Sequence, residues 1–599
     1  MAPFFKHQGK PAGQKNELVV ARRAALNAPQ LSQCNMNLQG GLQMKRFLFA
    51  AVAAVQLGIV QQAAAQPAGD PIRPLVLLAQ PAAALPQEYQ AAELVAASWR
   101  ELGLQVVIRP TPSQQFSQIV WNQRQRWDFT TWQMVGRPER SDPDELTSNL
   151  FLSANIANGF NFVGYSNPEY DRLAQVQREE LDVTKRRAVL VQLQELINKD
   201  QPYGFMVHPM NVVAFNKAVW DETSIVEQAG IGARNTWTWL NIRPLGAQRD
   251  IILNSVSTPL NLNPFMIPGS QGSWATEIAW DRLMRIGPDG LPQPWAADSV
   301  TRPDALTVDI KLRAGMKWSD GRPITIDDAV FSLIAPGIGD KSPMFKPFVA
   351  NIANVQATGA DTLRITLKRP DAAFLISSLA KLNLAPKHVW EPIFQSLQGK
   401  PETAESVMEA TPVTSGPYRL VKAKLNEEIV LEAYNDHWAK PKAARWIMRI
   451  QPNVQASLGA LRSGEINFLA DYTGDPQLLR DAAKANPQIK VSEALDIGFK
   501  FIAYNHRRQP FDVTAFRQAL SASIDRQLLV DDAFGGAAVP ANSWISPALA
   551  AWHDKGIETR VPGGSVEAAK KILKDAGYVL VNGRLHYPAG VKETTPAFQ

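Results

Sequence analysis

Seven histidines are the first candidates for chemistry: His7, His208, His388, His437, His506, His553 and His586. Their spacing is wrong for a metal. None forms His-Glu-x-x-His or another ligand pattern in which two imidazoles share one helix face. No Gly-x-Ser-x-Gly elbow and no phosphate-cradling Walker loop occurs, and Gly230-Ile231-Gly232 lacks the third glycine of a dinucleotide fingerprint. Asp327 and Asp328 are adjacent carboxylates, but neighbouring helix residues point in different directions. They read better as acids at a helix N-terminus than as an acid/base pair. Sixteen tryptophans favour stacking on peptide bonds, sugars or heterocycles without choosing among them. These residues predict binding rather than catalysis, with no cofactor.

The 599 residues are 45% hydrophobic and carry a formal charge of +6, with no dense Lys/Arg block. That argues against nucleic acid, which needs a concentrated basic face. Met44-Lys45-Arg46, the mostly apolar Phe47 to Val60 and Ala63-Ala64-Ala65 follow the order of a secretory signal peptide. The apolar run is short for a membrane span. Residues 1–43 then read as a mis-assigned start, 44–65 as the signal, and the mature chain as beginning near Gln66 in the periplasm. The single cysteine, Cys34, precedes that point, so the predicted mature chain has neither disulfide nor thiol nucleophile.

Hydrophobic periodicity predicts a mixture of α and β. Helices are expected at Gln90 to Leu102, Asp182 to Lys199, Phe511 to Val530 and Ser565 to Ala576, and strands at Leu75 to Gln80, Gln105 to Ile108, Ile251 to Ser255 and Thr362 to Leu367. Helix, glycine, then strand recurs at 90–108 and 565–580, the grammar of α/β domains. Arg243 to Asp250 reads as a connector, placing the main boundary near residue 248.

Several stretches after that boundary resemble the family 5 extracellular solute-binding proteins of ABC importers. Asn261-Leu262-Asn263-Pro264 follows the first strand, as a similar turn does in the family. The segment from Leu312-Arg313-Ala314-Gly315 through Trp318-Ser319-Asp320-Gly321 to Asp327-Asp328-Ala329-Val330-Phe331 resembles the family's most recognisable motif. Thr414 to Tyr418, Asn435 to Trp438, Ala460 to Asn467, Asn505, Pro510-Phe511 and Phe516-Arg517-Gln518-Ala519-Leu520 with Ile524-Asp525-Arg526 continue in family order. Each motif is weak; their shared order carries the resemblance. The family's closing part is similar to residues 72–247, from Leu75 to Gln80 through Trp127-Asp128-Phe129, Asn161 to Pro168 and Val219-Trp220. The chain therefore reads as circularly permuted, with 248–599 the family's first half and 72–247 its second.

The resemblance implies a two-lobed α/β periplasmic binding protein (type II, cluster C-like) with mixed sheets, a hinge and an interlobe cleft. It implies a monomer that captures an oligopeptide or peptide-like solute and delivers it to ABC permease subunits. An oligosaccharide, opine or metal chelate on the same fold, a periplasmic hydrolase and a rearranged gene product remain alternatives. Family position brings Trp132, Gln133, Met134 and Val135 to a ligand strand. Val135 stands where many peptide binders place an aspartate against the peptide α-amino group, and Asp142 is a poor substitute. Trp132 is an aromatic wall or plain core. Asn263 faces the cleft or makes an Asx turn. Trp274 lies near the cleft beside Glu277. Asn505 and Trp544 are weaker candidates, Trp544 reading better as filler.

Overall fold

The structure is a computed structural model that describes residues 68–157, 159–255, 262–266, 269–409, 411–424, 427–557 and 564–598. The expected leader, signal peptide and Cys34 lie outside the described residues, as does Asn261.

One sheet is built on Leu75–Ala79, an uninterrupted apolar strand buried at every position, as a strand covered on both faces must be. It pairs in parallel with Val106–Pro110 and with Phe129–Met134. Phe129–Met134 runs antiparallel to Phe499–Tyr504, with Trp132 opposite Phe501. Phe499–Tyr504 in turn pairs with the first half of a long strand, Tyr203–Asn216. The second half of that strand belongs to another sheet. There Met210 pairs with Leu495 and Asn216 with Ile489, while Phe468–Leu469 connects it to Asp250–Ser255. Arg445–Ile450, Glu428–Ala433 and Tyr418–Lys424 complete this second sheet.

Separate cores pack on the two sheets. Trp99, Phe516, Leu573 and Leu585 cover one face of the first sheet, and Trp127, Phe151, Phe501 and Trp544 the other. Trp239, Trp280, Trp446 and Phe468 anchor the second. An antiparallel sheet of Ala297–Asp304, Thr307–Leu312, Thr362–Leu367 and Ile352–Ala357 shares that second core. The molecule is thus mixed α/β with two lobes, one centred on 68–209 and 496–598 and the other on 210–495. Among the described residues the chain passes between their sheets twice, at Val207–Met210 and at Leu495–Phe499. The crossings are bonded together: the Asp496 N–H donates to the Pro209 carbonyl at 2.9 Å, and His208 Nδ1 lies 2.8 Å from the Gly498 carbonyl. Burial pushes the His208 pKa down to about 4, so the ring is neutral here. Gly498 packs so tightly that a Cβ would lie 2.1 Å from the Met134 carbonyl.

The first and last described segments meet in the first lobe. Ala68–Pro71 pairs with Arg584–Pro588, the Ile72 N–H donates to the Leu585 carbonyl at 3.0 Å, and helices Pro86–Arg100 and Val566–Asp575 share one core.

Local chemistry sets the boundaries. Asp182 caps Val183–Asp200 and Ser565 caps Val566–Asp575, each side-chain oxygen accepting from the first turn. Pro86–Arg100 starts four residues earlier than the periodicity predicts because Pro86 supplies a ready-made first turn. The helix expected over 511–530 is a correction. It runs only over Thr514–Ala522. The segment after it is taken up by other bonds: the Ser565 N–H uses the Ala522 carbonyl, Gly564 N–H the Ile524 carbonyl, and Asp525 caps a new turn at Leu528. Asp328 is also settled. Its carboxylate accepts from the Thr325 N–H (2.8 Å) and hydroxyl (2.9 Å) and from the Lys387 N–H (2.9 Å), a buried helix-start bracket. Asp327 is exposed.

Candidate functional site: a charged seam between the lobes

Phe129–Met134 delivers the chain to Val135-Gly136-Arg137, followed by the turn Pro138–Ser141 and the short helix Asp144–Phe151. A Cβ on Gly136 would sit 1.9 Å from Asp496 Oδ1 at the hinge, so any larger residue here must displace that side chain. This segment of the first lobe faces Ser270–Ala279 and Met284–Ile286 of the second.

Ion pairs cross between them. Glu139 pairs with Arg282, whose Nε also donates to Asn383 Oδ1 at 3.2 Å. Glu145 receives Arg140 at 3.0 Å from its own lobe and Lys381 at 2.7 Å from the other. Burial opposes ionisation of Glu145, but the two cations outweigh it and hold the carboxyl well below its usual range. Glu139 is likewise lowered, burial being outweighed by Arg282 and Lys381. Glu277 behaves oppositely: burial, reinforced by Glu139, raises it. A backbone bond joins the lobes nearby, from the Ala372 N–H to the Arg178 carbonyl at 2.8 Å.

Three cavities open along this seam. One is lined by Arg137, Glu139, Glu277, Arg282 and Lys381, and a second by Gln228, Thr236, Glu277, Arg282 and Arg285. Their volumes are ≈ 30 and ≈ 20 Å³, room for a water molecule or so each. The third, ≈ 400 Å³, lies between Asp144–Arg178 and Pro347–Ser378 and is large enough for a small solute. Asp371, on its wall, is pushed up to about 6 by burial and by Asp144.

None of the eight residues singled out from sequence lines these three cavities. Trp132 is half-buried and stacks on Phe116, ring centroids 5.3 Å apart and nearly parallel. Gln133 accepts from Lys500 Nζ at 2.8 Å, Met134 is buried, and Val135 is half-buried at the mouth of the charged loop. Trp274 is buried beneath the Arg234 guanidinium, 4.3 Å from the ring centre. Asn263 donates to the Ala404 carbonyl at 2.6 Å and accepts from the Phe265 N–H at 2.7 Å, the Asx turn. Both Asn505 amide protons are spent on the Arg124 and Trp127 carbonyls. Trp544 is core, its indole N–H on Thr147 Oγ1 at 3.1 Å. Asp142 is held by Arg186 through bonds of 2.7 and 2.6 Å. Of the residues that line the seam, Arg137, Pro138 and Glu139 carry a sequence signal, the charged run Arg137-Pro138-Glu139-Arg140-Ser141-Asp142 after the strand. Gly230, read only as a failed fingerprint, has φ +72° and its carbonyl receives the Ile497 N–H at the hinge.

Among the described residues no cluster of His, Cys, Asp and Glu is arranged to hold a metal ion, and no helix is long and apolar enough to cross a membrane.

Comparison with known proteins finds relatives among transport-associated binding proteins. A Brucella ovis ABC transporter peptide-binding protein is 28% identical over 283 residues, 47% of this chain and 51% of that protein. The oligopeptide-binding protein AppA of Bacillus subtilis is 26% identical over 339 residues, 56% of this chain and 60% of AppA. Heme-binding protein A of Haemophilus influenzae is 24% identical over 349 residues, 54% and 61% of the two chains. The chain therefore spans between about half and three-fifths of the length of these relatives. The structure of AppA in complex with a nonapeptide superposes with TM-score 0.46 at 21% identity, covering 57% of this chain and 67% of that one. The family profile of bacterial extracellular solute-binding proteins, family 5 (middle part), matches residues 292–598, slightly over half of the sequence, and the chain belongs to that family.

Proposed function

We propose that this protein is the periplasmic solute-binding component of an ABC importer, capturing an oligopeptide or peptide-like solute in the seam between its lobes and passing it to permease subunits. Family membership is the observation that carries this reading. The seam supports it physically. Two lobes joined by two strand crossings can swing apart, and a solute touching both stabilises only the closed form. The cross-lobe pairs Glu139–Arg282 and Glu145–Lys381 supply partners that can open and re-form as the solute enters. Export follows from the signal at 44–65, with a mature start near Gln66, and binding is as a monomer without catalysis. We further read 72–247 and 248–599 as the family's halves in exchanged order. The shared sheet and core of 68–110 and 566–588 favour this, because each segment alone would leave an unpaired edge and an uncovered apolar face.

Native mass spectrometry of the purified mature protein tests the function. A stoichiometric small solute, released unchanged, is the expected result. Chemical conversion of that solute by the protein would establish the hydrolase alternative instead.

A further inference from the structure

The cations along the two small cavities are almost all committed. Lys381 donates to Glu145, and Arg282 to Glu139, Asn383 and the Ala380 carbonyl. Arg285 spends Nη2 on the Glu277 and Trp280 carbonyls, at 2.6 and 2.9 Å. Arg137 differs. Among the described residues its guanidinium makes no side-chain hydrogen bond and no ion pair, and its Nε is sealed from solvent, although it lines the first cavity; Arg285, whose Nε is likewise sealed, still has its two carbonyls. A guanidinium cannot shed its proton to escape this cost. Glu139, Glu145 and Glu277 favour its charge through space, but none of them bonds to it. Glu139 is engaged by Arg282, and among the described residues the Glu277 carboxyl takes the Thr236 hydroxyl alone, at 3.3 Å, while its burial favours the neutral form. The lining thus holds Arg137, Arg282, Arg285 and Lys381 against Glu139 and Glu277.

We infer that Arg137 is the anchor for a carboxylate, or an equally compact anionic group, of the solute. A planar guanidinium offers two parallel N–H donors that match the two oxygens of a carboxylate, and an anion there would supply the negative charge the cavity lacks. It would also meet a cation of the first lobe across the seam from Ser270–Ala279 of the second, so the bond forms fully only on closure. The cavity itself is too small for more than a compact group, so the body of the solute extends elsewhere along the seam. This deepens the proposed capture function and rests on it.

Three probes test the inference on the purified mature protein, with Arg137→Met and Arg137→Lys as variants: trialanine, its C-terminal amide, and succinate. Binding is read by calorimetry and by thermal shift. Trialanine is expected to bind the wild type about ten- to a hundredfold more tightly than the amide, the range for losing a charged hydrogen-bonded partner. Arg137→Met should abolish that preference and Arg137→Lys should retain part of it. Succinate at millimolar concentration should protect the wild type and not Arg137→Met. Equal binding of acid and amide overturns the anchor while leaving solute capture intact. Failure of both peptides to bind, with Arg137-dependent protection by succinate, keeps the anchor and removes the peptide reading. No succinate protection and no acid preference overturns the anchor whatever the peptides do. Unfolding midpoints of the two variants close to wild type ensure that a lost preference reports the site.

Discussion

Asp128 receives Arg73 through two parallel hydrogen bonds, 2.8 Å from Nη1 and 2.6 Å from Nη2, and the same carboxylate accepts Arg508 Nε at 2.9 Å. Asp128 is wholly buried. One acid therefore ties three distant segments of the first lobe, and Arg508 reaches on to the Pro596 carbonyl. Asp128→Asn would strand two guanidinium groups in the interior. It is expected to cost about 3–5 kcal/mol, measured from denaturant midpoints; a loss below 1 kcal/mol would mean that the arginines find other partners.

Gly498 lies where the chain re-enters the first sheet. Gly498→Ala would drive a methyl against the Met134 carbonyl, and a loss of about 1–3 kcal/mol is expected from such overpacking. Equilibrium unfolding reads it, and an unaffected midpoint would indicate that the hinge backbone yields.

Trp132→Ala should weaken solute binding by roughly 1–3 kcal/mol if the ring walls the site. It should lower stability too, through the lost stack on Phe116. Calorimetry with the co-purified solute separates the two: reduced stability at unchanged affinity would make Trp132 a core residue only.

Asp371 gives a pH signature. Its folded pKa of about 6 lies above the ordinary value of about 3.9, so between these pH values the folded state holds more proton than the unfolded one. Stability from this group is present below pH 4 and is lost as pH rises to 6. Asp371→Asn keeps an oxygen for the Ala373 N–H, which lies 3.1 Å from Oδ1. It should flatten that decline, leaving the variant more stable than wild type at pH 7 relative to pH 4. Parallel pH–stability curves would place the Asp371 charge in solvent.

Export is tested by N-terminal sequencing of protein recovered from the periplasm. A start at or near Gln66 is expected; retention of residues 1–43 would refute the signal at 44–65.

The fold was far more legible than the site. Thr362–Leu367 alternates as a half-buried strand must, and Asp182 and Ser565 announce their helices, because these signals are local in sequence. The lobe boundary was not legible. It falls inside Tyr203–Asn216, where His208-Pro209-Met210-Asn211 interrupts the apolar run but the chain stays in one strand while its partners change. Asn263, Asn505 and Trp544 could not be told from ligand contacts by type, since a buried amide or indole looks the same in sequence whether it meets a backbone carbonyl or a solute. Arg137 was passed over because its lack of a partner is a property of the assembled seam.

The register of Leu495 opposite Met210 means that the second lobe begins and ends on one rung of a single ladder. Residues 210–495 are therefore a self-contained insert whose two ends are already side by side. A short turn joining Pro209 to Asp496, whose backbones already share a hydrogen bond, should let the first lobe be made alone, and the excised lobe should close on itself as a separate domain. Each half-site could then be titrated without its opposite wall.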